Sequence, residues 1–380
     1  MSEPARLQDT PLPRRDLLLL PLISIATVFL LFLVAEVSSR VLYPERVLDE
    51  CMAADPRLGV VYRPNCHSKT KSFESEWISS SYNECGYRGS ASCAAPPKGT
   101  VRIVIMGSSV AQGYLVRQEQ QFGEVAAREL TEKCGRRVEI QNLAGYEIFW
   151  GRVTARIPDA LRLKPDAVVL QVAPFDLEKE GSLEQTSQSM EPKRHWLVEI
   201  KMFVSTSRAV MVLQHYLLRN DSLYVPLYLR TGDKSAYMRE PLTPFWRKQM
   251  SEYDRQLRQM GEAFQNGHVP MTLVYVPQRA QAIIASMKSP PPGIKPGLLQ
   301  QILNEDTRRD GIDFLDTTKD MARAGATYAL FYPVDGHLAA AGHAIVGHAL
   351  AGQLLAKLPV LGQCRQSVAG QSAPATARAG

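Results

Sequence analysis

The sequence predicts an α/β protein built on a doubly wound sheet of five parallel strands, with an N-terminal transmembrane helix and a helical insertion. Three observations predict it. Five short, almost wholly apolar runs recur along the chain, segments of helical periodicity lie between them, and one long uncharged run stands near the start.

The uncharged run is Leu17 to Ala35, LLLLPLISIATVFLLFLVA, 19 residues without a charge. As a helix it spans about 28 Å, close to a ~30 Å hydrocarbon core. It exceeds the ~7–15 apolar residues of a signal peptide, and Glu36-Val37 follows it where a cleavage site would need small residues. Residues 17–35 are therefore expected to be a membrane anchor behind a tail of residues 1–16. Arg6, Arg14 and Arg15 precede the run, whereas Arg40 and Arg46 follow it closely. That bias puts the N-terminus in the cytoplasm and the main domain in the periplasm or another extracytoplasmic space.

Residues 36–100 read as an extended lead-in rich in turn formers. Cys51, Cys66, Cys85 and Cys93 cluster there, with Cys134 and Cys364 further on. An even, clustered count without any CxxC pair favours disulfides in an oxidising compartment over a zinc site. Four cysteines allow three pairings, and spacing does not choose among them. The net charge of +6 over 380 residues, with no basic run, gives nucleic-acid binding no support. No cofactor pattern is present, and the spacing of Asp335, His337 and His343 fits no metal-ligand set.

The strand-like runs are 101–106 (VRIVIM), 137–141 (RVEIQ), 166–172 (DAVVLQV), 271–276 (MTLVYV) and 312–315 (IDFL). Nearly all apolar rather than alternating, they suit strands buried on both faces of a parallel sheet. Helical spacing marks 118–133, 152–163 and the alanine-rich 338–357. The clearest helix is 244–264, opened by Thr243-Pro244 and striped by Trp246, Met250, Tyr253, Leu257, Met260 and Phe264, a core-facing pattern. Alternation of this kind gives a doubly wound sheet over residues 101–358. Residues 177–265 exceed an ordinary crossover and read as a helical insertion, in which 195–217 caps the sheet or lies near the membrane. Residues 359–380 read as a small, polar, disordered tail.

Ligands of open parallel sheets sit beyond the carboxyl ends of the strands. The first strand ends in Gly107-Ser108-Ser109, the second in Asn142-Leu143-Ala144-Gly145, and the last is followed by FYPVDGHLAAAGH, residues 331–343. Asp335 and His337 share one turn before a helix. A serine nucleophile needs a base within hydrogen-bond reach and an acid to orient it, and this turn holds both. The order Ser, Asp, His is compatible with a triad. The G-x-S-x-G elbow is absent, because Ala111 stands where its last glycine belongs. Alone, Ser109 also reads as a strand-ending helix cap. His343 and His348 read as structural, Asp176 as a helix N-cap, and Arg279 as a solvated charge at the end of the fourth strand.

GSSVAQG resembles the first block of the SGNH (GDSL-type) hydrolases, NLAG their second, VVLQVAPFDL their third, and DGHLAAAGH the closing Asp-His block. NECGYRG (83–89) and the anchor are similar to a membrane-tethered, extracytoplasmic branch found in bacteria. The resemblance covers roughly residues 80–355 outside the insertion. It implies five strands in flavodoxin-like order, Ser109 as nucleophile, His337 as general base, Asp335 as its partner, and oxyanion donors at the N–H groups of Ser109 and Gly145. Two blocks depart from it, at Ser108, Ala173 and Phe175. Ser108 replaces the aspartate of the first block, and the third block reads Ala173-Pro174-Phe175-Asp176, with Phe175 in place of the asparagine that would donate to the oxyanion. Losing one such donor costs about 2.7–4 kcal/mol where it has been measured. Asn142 and Gln171 are possible replacements.

The resemblance implies a serine esterase or O-acyltransferase acting on acyl, often acetyl, groups of an envelope or exported polysaccharide. The alternatives are a weakened SGNH domain that binds glycan or scaffolds an envelope assembly, and a lipid esterase lying against the bilayer.

Overall fold

A computed structural model describes residues 15–145, 150–178, 206–325, 327–362 and 364. It divides into two units: residues 1–44 with 194–213, and residues 45–193 with 214–380.

The first unit holds α1, Asp16–Leu42, a helix of 27 residues with none buried. Among the described residues it is the one helix long and apolar enough to cross a membrane. It outruns the expected 17–35 because polar residues continue the same helix past Ala35, with Arg40 Nε donating to Glu36 Oε1 at 2.7 Å, one turn away. The Glu36 carboxylate also accepts from Ser207 Oγ at 2.7 Å and from the N–H groups of Arg208 and Ala209 at 3.1 and 2.9 Å. An acidic group there complements the start of the helix Arg208–Leu217. Arg6 and Arg14 lie outside the described residues, as does the 195–205 part of the expected helical stretch.

In the second unit the lead-in departs from expectation. It contains β1 (Arg46–Leu48), β2 (Met52–Asp55), β3 (Gly59–Tyr62), β4 (His67–Lys71) and β5 (Trp77–Ser81). Strands β1, β4 and β5 form one antiparallel sheet, and β2 and β3 a hairpin. Strands β4 and β5 carry no apolar run, and the short GVVY of β3 is mostly half-buried. In HSKTK and WISSS it is small serines, Ser68 and Ser80, together with Ile78, that turn inward, so hydrophobicity gives no signal. Disulfides join Cys51 to Cys66, Cys85 to Cys93 and Cys134 to Cys364. The last of these corrects the expected tail. Pro359–Leu361 forms a helical turn and Cys364 is buried, while residues 365–380 lie outside the described ones.

The main sheet is five-stranded: β6 (Val101–Met106), β7 (Val138–Asn142), β8 (Ala167–Val172), β9 (Met271–Tyr275) and β10 (Asp313–Asp316). Its order is β10-β9-β8-β6-β7, with every pair parallel. Sequence order reverses at β6, which creates a crevice beyond the strand ends between β6 and β8. The helices are α2 (Ser109–Gln112), α3 (Phe122–Cys134), α4 (Trp150–Thr154), α5 (Ile157–Arg162), α6 (Pro174–Glu178), α7 (Arg208–Leu217), α8 (Asp221–Leu229), α9 (Asp233–Ala236), α10 (Pro244–Asn266), α11 (Arg279–Ser286), α12 (Leu298–Arg309), α13 (Thr318–Arg323) and α14 (Ala340–Lys357).

Two cores lie on opposite faces of the sheet. On one, Val104, Val168 and Leu170 meet the α10 stripe, whose six expected residues are all buried. Thr243 caps α10, its side chain accepting from Trp246 N–H at 3.3 Å. On the other face Ile103, Ile105 and Val169 meet Phe122, Ala126 and Leu130 of α3 and Val346, Leu350 and Leu354 of α14. Gly347 lets α3 and α14 touch. A Cβ there would lie 2.6 Å from Val125 Cβ and 2.8 Å from the Phe122 carbonyl oxygen.

Gly347→Ala is accordingly expected to destabilise the fold by about 1–3 kcal/mol, read as a lower denaturant midpoint. Gly352→Ala, on the same helix but with nothing within 4 Å of the new Cβ, should leave the midpoint unchanged or slightly raised.

Candidate active site

The carboxyl end of β6 is shaped by glycine. Gly107 has φ +144°, and a Cβ on it would lie 2.9 Å from both Ala111 Cβ and Gln171 Oε1. The chain can therefore turn sharply into α2, with Ser108 at the N-cap position and Ser109 as the first helical residue. Neither serine caps α2 through its side chain. Ser109 Oγ instead lies 2.7 Å from His337 Nε2. Ser108, in the position of the resemblance's aspartate, directs its hydroxyl and N–H to Gln171 Oε1 at 3.3 and 3.4 Å.

His337 stands at the end of a turn before α14. Tyr332 N–H donates to the His337 carbonyl and Gly336 N–H to the Tyr332 carbonyl, each at 2.9 Å. Asp335 Oδ1 accepts from His337 Nδ1 at 2.6 Å and from His337 N–H at 3.1 Å. This fixes the ring and leaves Nε2 facing the serine. Burial alone would raise the Asp335 carboxyl, but the hydrogen bonds and charge of His337 outweigh it and hold its pKa below the ordinary aspartate value. The rings of Tyr114 and Phe175 flank the imidazole edge-on, with centroids 5.0 and 6.0 Å away. The structure thus brings Ser109, His337 and Asp335 together across 228 positions of sequence.

The residues weighed as oxyanion donors are placed differently. Gly145 lies beside the same turn, its N–H donating to the Gly107 carbonyl oxygen in a long bond of 3.4 Å. Asn142 Nδ2 donates to the Ala111 carbonyl at 2.9 Å and to Gln121 Oε1 at 3.0 Å. Gln171 Nε2 donates to Asp176 Oδ2 at 3.1 Å. Both side-chain replacements for the missing asparagine are thus committed to holding the turn. Asp176 is not an N-cap. It is the third residue of α6, and its carboxylate reaches back to the Ala173 N–H at 2.8 Å, the rear half of a capping box.

Beside His337 opens a cleft of about 620 Å³, lined by Phe175, Tyr224, Tyr228, Gln278, Arg279 and the 333–337 turn. Arg279 corrects a sequence expectation. It is not solvated: its side chain is 2 % exposed and pairs with Asp221 at 2.7 Å. The Tyr224 ring lies over it, 4.4 Å from Cζ. It holds the tyrosine-bearing helix α8 against α11.

Sequence reasoning also missed Arg88. Its buried guanidinium donates to the carbonyls of Gln112 at 2.9 Å and Val116 at 2.7 Å, taking up carbonyls that the end of α2 leaves free. The signal was NECGYRG, in which Asn83 Oδ1 accepts from Cys85 and Tyr87 N–H groups at 3.0 Å and forms the turn that presents Arg88.

The model of the GDSL-like lipase/acylhydrolase family matches residues 105–345, from inside β6 into α14. The chain belongs to this family. Members of the GDSL-like family are serine ester hydrolases, and the matched span contains the serine turn and the Asp-His turn alike. Among solved structures it is similar to a lipase/acylhydrolase from Enterococcus faecalis, at 13 % identity over 68 % of this chain and 97 % of the other, TM-score 0.39. It is also similar to the esterase EstA from a Pseudoalteromonas species, at 10 % identity over 67 % and 96 %, TM-score 0.37. A lipolytic G-D-S-L protein from Veillonella parvula gives 10 % identity over 68 % and 100 %, TM-score 0.38. No curated protein matches the sequence. The assignment rests on the family model.

His343, on α14 behind the GDSL-like site, is 1 % exposed and accepts from Phe122 N–H through Nδ1 at 3.3 Å. Burial, aided by the charges of Arg88 and His337, pushes its pKa down to about 3. The unfolded chain protonates this histidine below about pH 6.5, while the folded chain resists until about 3. Its contribution to stability is full above pH 6.5 and is lost as pH falls towards 3. Wild-type stability should therefore drop from pH 7 to 4, this one group contributing a slope of at most about 1.4 kcal/mol per pH unit. His343→Asn, which keeps an acceptor near the Nδ1 position, should give a flatter curve in denaturant titrations across that range.

Proposed function

We propose that the protein is a membrane-tethered serine esterase or O-acyltransferase whose catalytic residues are Ser109, His337 and Asp335. The observation that carries this reading is the continuous hydrogen-bonded line from the serine Oγ through the imidazole to the carboxylate, at 2.7 and 2.6 Å. Ser109 Oγ attacks the acyl carbonyl as its proton passes to His337 Nε2, and Asp335 stabilises the imidazolium through Nδ1–H. Negative charge on the carbonyl oxygen falls to the backbone N–H of Ser109 and, once its long bond to the Gly107 carbonyl opens, to that of Gly145. The former belongs to the first turn of α2, where N–H groups have no intrahelical partner. Collapse of the intermediate breaks the ester C–O bond, and the leaving alcohol takes the proton from His337. The resulting acyl-serine is then attacked by water, which completes hydrolysis, or by a sugar hydroxyl, which completes transfer.

The location belongs to the same proposal. A helix fit to span a membrane at 16–42 and three disulfides in the chain support an anchored domain on the extracytoplasmic side. That setting, with a wide cleft walled by Tyr224, Tyr228 and Gln278, favours acyl or acetyl groups on an envelope or exported polysaccharide, since aromatic walls offer sugars flat apolar surface. A second reading has its own support. With Phe175 in the third block and Asn142 and Gln171 committed elsewhere, none of these three positions supplies a side-chain oxyanion donor. A weakened domain that binds glycan is consistent with that.

A serine-reactive fluorophosphonate separates the two. The detergent-solubilised full chain should label at neutral pH. Ser109→Ala should abolish labelling, and His337→Ala should slow it by at least about 10²-fold. A folded wild-type protein that does not label sinks the enzyme reading. Faster turnover of acetyl than of long-chain esters is expected, and the reverse order would point to a lipid esterase.

A further inference from the structure

Glu74 lies in the lead-in between β4 and β5, remote in sequence from the reacting groups, and its side chain has no exposure. A carboxylate taken wholly out of water must be met by donors, and three converge on this one. Its Oε1 accepts from His215 Nδ1 at 2.7 Å and from Val334 N–H at 3.1 Å. Its Oε2 accepts from Asp335 N–H at 2.8 Å and from Val334 N–H at 3.2 Å. Two of the three donors are consecutive backbone groups of the turn that carries Asp335 and His337. The third, His215 on α7, is packed by the Phe73 ring at 6.4 Å and the Tyr216 ring at 5.2 Å.

We propose that Glu74 is a positioning residue for the Asp335–His337 turn, so that the lead-in completes the working site. The inference rests on the reading of Ser109, His337 and Asp335 as a triad. The turn has reason to need an outside hold. Gly336 sits at φ +86°, and the Asp335 side chain remains 25 % exposed. Its internal hydrogen bonds run between Tyr332, Gly336 and His337, which leaves the N–H groups of Val334 and Asp335 to Glu74. Fixing the Asp335 backbone fixes the point from which its carboxylate reaches Nδ1. An ångström of drift there loosens the 2.6 Å bond and, through it, the orientation of Nε2 towards the serine.

The titratable groups around His337 are Asp335 and Tyr332 of its own turn, Glu74 of the lead-in, Tyr114 after α2, Glu178 and Lys234 along the cleft, and buried His343 of α14. Of these, Asp335 alone bonds the imidazole directly. Loosening Asp335 removes the partner that stabilises the imidazolium formed as the serine attacks, so both the labelling rate and its dependence on pH change.

The test is the rate of fluorophosphonate labelling against pH for the full chain in detergent, with Ser109→Ala as background. Glu74→Ala should slow the plateau rate by about 10- to 100-fold and move the acid limb down by about one pH unit. Glu74→Gln should recover most of the plateau, because its amide oxygen can still take the Asp335 N–H while its amide nitrogen faces His215. Where Glu74→Ala does not fold, Glu74→Asp decides. One methylene shorter, it cannot span both N–H groups, and the same downward shift is expected. A wild-type plateau and limb in the folded variants overturns the role. So does a loss shared equally by Ala and Gln with an unmoved limb, which is a stability effect alone. Failure of the wild type itself to label overturns the triad reading first, and the role of Glu74 with it.

Discussion

Ser109 opens the short helix that follows the first strand of the main sheet and His337 precedes the last long helix, yet their side chains meet at 2.7 Å. The contact is made by helix packing. Strand β6 delivers the serine to the carboxyl edge, and α3, which follows it, lies against α14 on one face of the sheet. The turn bearing His337 is the N-terminal approach to α14, so the depth at which α14 seats on α3 sets the height of the imidazole above the sheet. Gly347 permits that depth, because any side chain there would strike Val125 and the Phe122 carbonyl. Buried His343 fixes the same interface by accepting the Phe122 N–H. A hydroxyl–imidazole hydrogen bond tolerates only a few tenths of an ångström, so the precision of the site derives from a close-packed interface on which no reacting atom lies.

The edge of the sheet is held by polar groups that do no chemistry. Gln171, Asn142 and Asp176 exchange hydrogen bonds with the backbone around the serine turn. Arg88 takes up the carbonyls at the far end of α2. Each is buried or nearly so, and each would cost free energy if left unpaired. They convert a four-residue helix, too short to be stable alone, into a rigid mount. At the opposite end of the sheet, buried Arg102 binds Glu139 at 2.7 Å and the carbonyls of Ala94, Ser92 and Leu163. That network ties the lead-in to β6 and β7 at the edge away from the reacting groups.

Much of this was legible in the sequence, and the reasons are physical. The five strands are buried on both faces, so their apolar runs stand out, and the observed boundaries differ from the expected ones by one residue at most at either end. The α10 stripe is equally plain because one helix face meets one core. The Asp-His turn announced itself through a Pro/Gly-flanked pair just before a helix. The lead-in strands did not show, since serine fills their inward positions and its burial leaves no hydrophobic pattern. Arg279 could not be placed, because a charged residue after a strand looks the same whether it is solvated or stacked beneath a tyrosine. Glu74 was invisible for a related reason, and the NECGYRG motif marked the turn of Arg88 without the role of its guanidinium. Most of their partners are backbone groups, and a backbone N–H or carbonyl has no letter in the sequence.

Phe175 stands where the family resemblance places an asparagine, and the hydrogen-bonded line from Ser109 through His337 to Asp335 is intact without that side chain. Where that side chain is expected, the Phe175 ring lies edge-on to the imidazole, 6.0 Å between centroids, while Tyr114 flanks the ring too, at 5.0 Å. Aromatic walls supply no hydrogen bond to an oxyanion. In the proposed mechanism the backbone N–H groups that remain carry the developing charge without a side-chain partner from this position. The backbone N–H of Ser109 belongs to the helix mount itself, so its direction is set by the same packing that aims the hydroxyl. A side-chain donor can be lost and leave a slower site. Loss of the mount would displace the Ser109 hydroxyl and its backbone N–H together, and the polar network gathers around Gly107 and α2.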